Sequence, residues 1–272
     1  MALRRSLLPV VAALLLPTAY AVPAGAAARP TAPAPASIAV LGDSISRGFD
    51  ACGFLQDCPA VSWSTGTSPA VHSHASRLAA LRHGVRAYND AATGSTASDL
   101  PAQAARAHAQ RAAYVEVLIG ANDACAPSVD QMTPVADFQR DVTAGFAKIA
   151  SSRVFVASIP DVYALWKAAH GVADARSTWS TWRLCQSLLA RPASTAPADE
   201  ARRKAVRARV VAYNAVLRKA CAALPHCRTD GGAVFAAGVK RSELSTIDWF
   251  HPNPSGQAAL AARTWARTWS FR

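Results

Sequence analysis

The chain has 272 residues, 51% of them hydrophobic and 17% charged, with a formal net charge of +12. That is enough chain for one or two domains and too apolar for a disordered polymer, and its 14 glycines and 17 prolines follow no collagen period. The positive charge either draws the chain to an acidic partner (an anionic lipid surface, an acidic polymer or a nucleic acid) or serves only to keep it in solution.

Arg4 and Arg5 precede an apolar run over residues 7–22, and small residues follow through Ala28. Ala24-Gly25-Ala26 and Ala26-Ala27-Ala28 both fit an A-x-A cleavage site. The pattern predicts a secretory signal peptide over 1–28 and a secreted, extracellular product. The run is broken by Pro9, Pro17 and Pro23 and is short for a membrane span. Residues 29–36, rich in Pro and Ala, read as a short tether outside the fold, and 37–272 as a single domain.

Residues 37–41 form a short apolar run ending in Gly42-Asp43-Ser44, which predicts a buried strand. Helical spacing follows over 71–81, a second short strand over 85–88, and an Ala-rich helix over 97–113 that admits Pro101 in its first turn. A third strand over 114–119 ends at Gly120, an amphipathic helix covers 135–149, and a fourth strand covers 153–159. Residues 161–197 show no regular period, but carry Tyr163, Trp166, Trp179 and Trp182, side chains suited to line an acyl groove or to pack a loop. A helix over 201–220 has Val206, Val210, Tyr213 and Leu217 on one face and Arg202, Arg203, Lys204, Arg207 and Lys219 on an expected wet face. A last short strand falls within 226–235, and a helix over 254–269 closes the chain. Short strands alternating with longer helices predict an α/β fold: a three-layer α/β/α sandwich around a parallel sheet.

Export makes disulfides the expected state of the six cysteines. Nearness in sequence favours Cys52–Cys58, Cys125–Cys185 and Cys221–Cys227. No CxxC pair occurs, and His72 and His74 have no third ligand nearby, which argues against zinc.

Open parallel sheets carry their sites beyond the carboxyl ends of the strands, and the unusual segments fall there. Ser44, where a strand turns into a helix, is an N-cap or a nucleophile beside free first-turn N–H groups. His251 supplies the base such a hydroxyl needs, and Asp248, three residues earlier, is placed to orient its ring. Asn122 offers a carboxamide donor, and Gly94 lets the backbone approach a substrate; with the Ser44 N–H these are the candidate oxyanion donors.

Together these segments resemble the SGNH, or GDSL, hydrolases. Ser44 stands in the G-D-S block, Asn89, Ala91 and Gly94 in an N-x-A-x-x-G block, Gly120, Asn122 and Asp123 in G-x-N-D, and Asp248 and His251 in D-x-x-H. The α/β-hydrolase elbow G-x-S-x-G is absent, because Ile45 and Ser46 follow Ser44. The resemblance implies a flavodoxin-like SGNH fold, with Ser44, His251 and Asp248 catalytic and Ser44, Gly94 and Asn122 as the oxyanion hole. It implies an acyl-enzyme mechanism that needs no metal and no organic cofactor. Residues 41–49 and Ser62-Trp63-Ser64-Thr65-Gly66 are similar to the secreted actinobacterial lipase and phospholipase B-like branch, whose members carry a signal peptide and three disulfides. The expected substrate is a phospholipid or other acyl ester, met at an anionic lipid surface, and the alternative is an acetylated polysaccharide. No nucleic-acid partner and no stable membrane insertion are expected, and the chain is expected to be a monomer.

Overall fold

The computed structural model describes residues 31–272; the signal peptide read over 1–28 lies outside them. Seven strands occur among the described residues: β1 (Thr31–Ala32), β2 (Ser37–Gly42), β3 (Arg86–Asn89), β4 (Tyr114–Leu118), β5 (Arg153–Val156), β6 (Cys227–Thr229) and β7 (Ser270–Phe271). Five of them make one sheet in the order β3-β2-β4-β5-β6, every neighbouring pair parallel. Each parallel step needs a crossover, and the chain supplies helices His74–Leu81, Leu100–Ala109, Val135–Lys148 and Pro197–Ala222 between successive strands.

The central strands β2 and β4 are buried along their whole length, as a sheet covered on both faces requires. Side chains alternate along β4. Glu116 points to the face carrying His74 and the closing helix Pro254–Trp265, so that a buried His74–Glu116 pair forms there, with His74 Nε2 also 2.8 Å from Thr264 Oγ1. Val115 and Val117 alternate with Glu116 and so point to the opposite face; helices Leu100–Ala109, Val135–Lys148 and Pro197–Ala222 pack side by side. The result is a three-layer α/β/α arrangement.

Three expectations need correction. The stretch 161–197 is not irregular: it holds helices Val162–Ala169, Ala173–Thr181 and Gln186–Leu189. Asp161 caps the first by accepting from the Tyr163 and Ala164 N–H groups, and Val162, Leu165, Trp166 and Ala169 form its buried face. Tyr163, Trp166 and Trp179 pack inward there, while Trp182 is half-buried. Trp179 is fully buried, and Trp166 is stacked on His170 and bonded to the Pro192 carbonyl. The Pro/Ala-rich stretch is not a free tether from residue 31 onward. β1 pairs parallel with β7, and Ala32 and Ala34 are buried, because the backbone of the extended segment finds partners in the C-terminal strand. Nor are the arginines of the long helix simply wetted. Arg203 is fully buried, stacked 3.9 Å over Trp166 and paired with Glu200, while Arg207 pairs with Asp161.

Disulfides join Cys52 to Cys58, Cys125 to Cys185 and Cys221 to Cys227. The second spans 60 residues and ties the helical excursion to the end of β4, the closure with the largest effect on the unfolded chain in the loop-entropy picture.

Candidate active site

The sheet delivers Ser44 to the carboxyl end of β2. Gly42 is required there: its φ is +155°, and a Cβ would fall 2.2 Å from the Leu118 carbonyl oxygen of the neighbouring strand. Gln103 clamps both its polar groups, accepting from its N–H at 2.7 Å and donating to its carbonyl at 2.9 Å. Asp43 caps the short helix Ser44–Arg47 by accepting from the Ile45 N–H at 3.0 Å. Gln257, on the closing helix, donates to the Ile45 carbonyl and accepts the Trp63 N–H, which locks the nucleophile turn to the other end of the chain.

Asp248 and His251 lie in the loop before helix Pro254–Trp265. Asp248 Oδ1 accepts the N–H groups of Phe250 and His251 at 2.9 and 3.0 Å, which folds the four residues into a tight turn. Trp249 adopts φ +56°, a left-handed conformation rare for so large a side chain, and this strained residue turns the chain between acid and base. The Asp248 carboxylate accepts from His251 Nδ1–H, so Nε2 is the free lone pair, and it accepts the Ser44 hydroxyl at 2.8 Å. Burial alone would push the Asp248 carboxyl up, but the hydrogen bond and charge of His251 and the two backbone donors hold it below the usual carboxylate range. Phe49 and Phe250 set their edges against the imidazole, each 5.1 Å between ring centres.

Asn122 sits on helix Ala121–Ala124, two residues beyond the turn of Gly120, and lines the same cleft as Ser44 and His251. Its Nδ2 donates one hydrogen to the Ser95 carbonyl at 2.8 Å, and the other is available to a substrate. Ser95 Oγ in turn accepts from Gln103 at 3.0 Å. Of the five site residues read from the sequence, the structure brings Ser44, Asn122, Asp248 and His251 together. Gly94 differs: it is exposed, with φ +84°, and is not among the residues lining the cleft. Gln103, Gln257 and Asp50 went unread, because a glutamine or aspartate that acts only through a fold contact leaves no periodic trace.

The cleft has a cavity volume of about 90 Å³. From Ser44 it runs past Val162, Leu165, Val234, Val239 and Leu260. An ion pair between Glu243 and Arg263, 3.2 Å apart, lies among its walls. Carboxyl oxygens of Asp50 and Asp248 and a ring nitrogen of His251 come within 4.8 Å of one another. They fit a metal poorly, since both imidazole nitrogens are engaged by Asp248 and Ser44.

Asp43 is fully buried, and its Oδ2 has no hydrogen-bond partner among the described residues. Burial pushes its carboxyl up to about 7, against the Ile45 N–H and the His251 charge and with help from Asp123. A carboxyl raised in the folded state binds its proton more tightly there than in the unfolded chain. Ionising it therefore costs stability as pH rises from the unfolded value near 4 through about 7. Asp43→Asn keeps the cap and removes that cost. Its melting temperature is expected to exceed that of the parent by several degrees at pH 8, with the gain shrinking toward pH 4. Calorimetry across that range checks it, and a gain independent of pH contradicts it.

An acid, an imidazole and a serine hydroxyl in line at the carboxyl end of a parallel sheet define a serine hydrolase. The chain belongs to the GDSL-like Lipase/Acylhydrolase family, whose sequence profile matches residues 40–259. No curated protein matches the chain by sequence. Among solved structures it is similar to an alpha/beta hydrolase enzyme from the metagenome of Lake Arreo, with TM-score 0.51 and 16% identity over 85% of this chain and 93% of that one. It is also similar to an acetyl xylan esterase from Geobacillus stearothermophilus, with TM-score 0.51 and 16% identity over 83% and 90%. A psychrotrophic esterase from Pseudoalteromonas sp. matches with TM-score 0.49 and 17% identity over 85% and 95%. At such identities the likeness is one of fold.

Proposed function

We propose that the protein is a secreted lipolytic carboxylic-ester hydrolase acting on phospholipids, of the actinobacterial phospholipase B-like kind. Ser44 is the nucleophile. As its oxygen attacks the ester carbonyl, its proton passes to His251 Nε2, and Asp248 stabilises the resulting imidazolium. The oxyanion that forms takes hydrogen bonds from the Ser44 N–H and Asn122 Nδ2. His251 returns the proton to the departing alkoxide and leaves Ser44 acylated. It then takes a proton from water, whose oxygen attacks the acyl carbon, and the acid is released as Ser44 regains its hydrogen.

The observation that carries the substrate class is the apolar wall running from Ser44 through Val162, Leu165 and Leu260. An acetyl group would leave most of that wall in water, whereas a longer acyl chain covers it at about 0.8 kcal/mol per buried CH₂. The tryptophans that would stack sugars in a polysaccharide esterase do not line this cleft. Contact with a lipid surface is supported by Phe54 and Leu55, 64% and 55% exposed side by side, with the Phe54 ring set against Trp182. No helix among the described residues is long and apolar enough to cross a membrane. Three disulfides support an oxidising destination and, with it, removal of residues 1–28; the remainder acts as a single monomeric domain. The strand order supports a flavodoxin-like topology.

Acid release from phosphatidylcholine, lysophospholipid, triglyceride and acetylated xylan by one preparation tests this reading. The phospholipids are expected to be hydrolysed fastest, and acetate released fastest from xylan contradicts it. Replacing Phe54 and Leu55 together by serine should lower turnover of phosphatidylcholine vesicles about tenfold more than turnover of a soluble short-chain ester. Equal effects on both contradict the surface role.

A further inference from the structure

One buried carboxyl beside the triad is not used by the mechanism above. Asp50 is 1% exposed and six residues beyond Ser44, with its backbone at φ +55°. The loop that follows it is closed by the Cys52–Cys58 disulfide. Its N–H donates to the Gln56 carbonyl at 3.0 Å, and its Oδ1 accepts the Leu55 N–H at 2.6 Å. Its carbonyl accepts the Ser245 hydroxyl at 2.7 Å, while the Ser245 N–H donates to the His251 carbonyl at 2.8 Å. Ser245 therefore fastens Asp50 to the loop that carries acid and base. The second carboxyl oxygen, Oδ2, is buried and receives no donor among the described residues.

What Asp50 does meet is Asp248. A carboxyl oxygen of each and a ring nitrogen of His251 all lie within 4.8 Å of one another. Two carboxylates only accept and repel each other when both are charged, so burying them this close favours a proton on one. Asp248 already accepts from two backbone N–H groups and the imidazole, and so stays charged. The proton belongs to Asp50. We propose, on the serine-hydrolase reading above, that Asp50 is a positioning residue of the triad. At low pH its neutral carboxyl donates to Asp248, and on losing that proton it places a second negative charge behind the His251 ring, which sets the pH at which activity appears.

Burial pushes the Asp50 carboxyl up to about 6, reinforced by the charge of Asp248 and opposed by the Leu55 N–H and the His251 charge. Asp248 and His251 are the charged groups that act on it, and Asp43 acts on the same imidazole from the nucleophile's side. A second anion near an imidazolium stabilises the protonated ring, which delays the appearance of free base as pH rises.

The test is the pH dependence of kcat/KM for a soluble short-chain ester, comparing the parent with Asp50→Asn. Asparagine tolerates the left-handed backbone, still accepts from Leu55 and still donates to Asp248, but cannot ionise. The midpoint of the acid limb is expected to fall by about half a unit or more, with KM unchanged. An unmoved midpoint in a folded Asp50→Asn overturns the role, and a purely structural carboxyl would give that result. In the parent, the Asp50 ¹³C carboxyl resonance is expected to titrate together with the acid limb, and titration in the ordinary aspartate range overturns the role without any variant. Ser44→Ala separates the two claims. If it is inactive while Asp50→Asn keeps the parent midpoint, only the role of Asp50 is lost. An active Ser44→Ala overturns the hydrolase reading beneath it.

Discussion

Ser44→Ala is expected to fold and to lose about 10⁴-fold or more of its kcat/KM toward any ester the parent hydrolyses. The size follows from the mechanism, because without Oγ no acyl-enzyme forms and only binding and the oxyanion donors remain. The expectation that it folds follows from the anchors of the turn. Asp43 caps through Ile45, Gln103 holds Gly42, and Gln257 holds the Ile45 carbonyl, none of which uses the Ser44 hydroxyl. The hydroxyl's own contact is with His251 Nε2. A melting temperature within a few degrees of the parent, combined with lost acid release, distinguishes removal of a nucleophile from damage to the fold. Turnover near the parent level would remove Ser44 from the mechanism.

Asn122→Ala is the second large effect. A preorganised donor aimed at the developing oxyanion contributes more in the transition state than in the ground state. Its loss is expected to lower kcat by about 10²–10³-fold and to leave KM nearly unchanged. The variant also frees the Ser95 carbonyl, which Asn122 satisfies at 2.8 Å. That carbonyl belongs to the turn above Gln103, and a modest loss of stability accompanies the kinetic effect. Steady-state kinetics on a soluble ester provide the check. A rise in KM at constant kcat would instead make Asn122 a substrate-binding group.

Much of the site was legible in the sequence because its chemistry restricts residue type. A nucleophile at a strand end, a donor at the next strand end, and an acid three residues before a base each leave a mark at a fixed place. The sheet was legible for a related reason, since strands buried on both faces are short apolar runs. Other parts were not. The helices over 162–189 are short, and their inward faces mix Trp166 and Trp179 with small residues, so no long period stands out. The arginines of the long helix looked like a wet face because sequence shows their charge and not the stem that Arg203 lays across Trp166. Asp50 was invisible because its role arises where a disulfide-closed loop meets a turn some two hundred residues away. Gly94 shows the converse case, in which a motif position is legible but its open, exposed turn lies outside the cleft lining.

Catalysis rests on the Ser44 hydroxyl being activated by His251. An organophosphonate ester that forms a stable covalent adduct with an activated serine tests this directly, by intact mass and peptide mapping of the full chain. One phosphonyl group per chain, on Ser44, is the predicted result, with labelling nearly abolished in His251→Ala. Labelling on another residue, or an unlabelled protein that still hydrolyses esters in the presence of excess reagent, would contradict it.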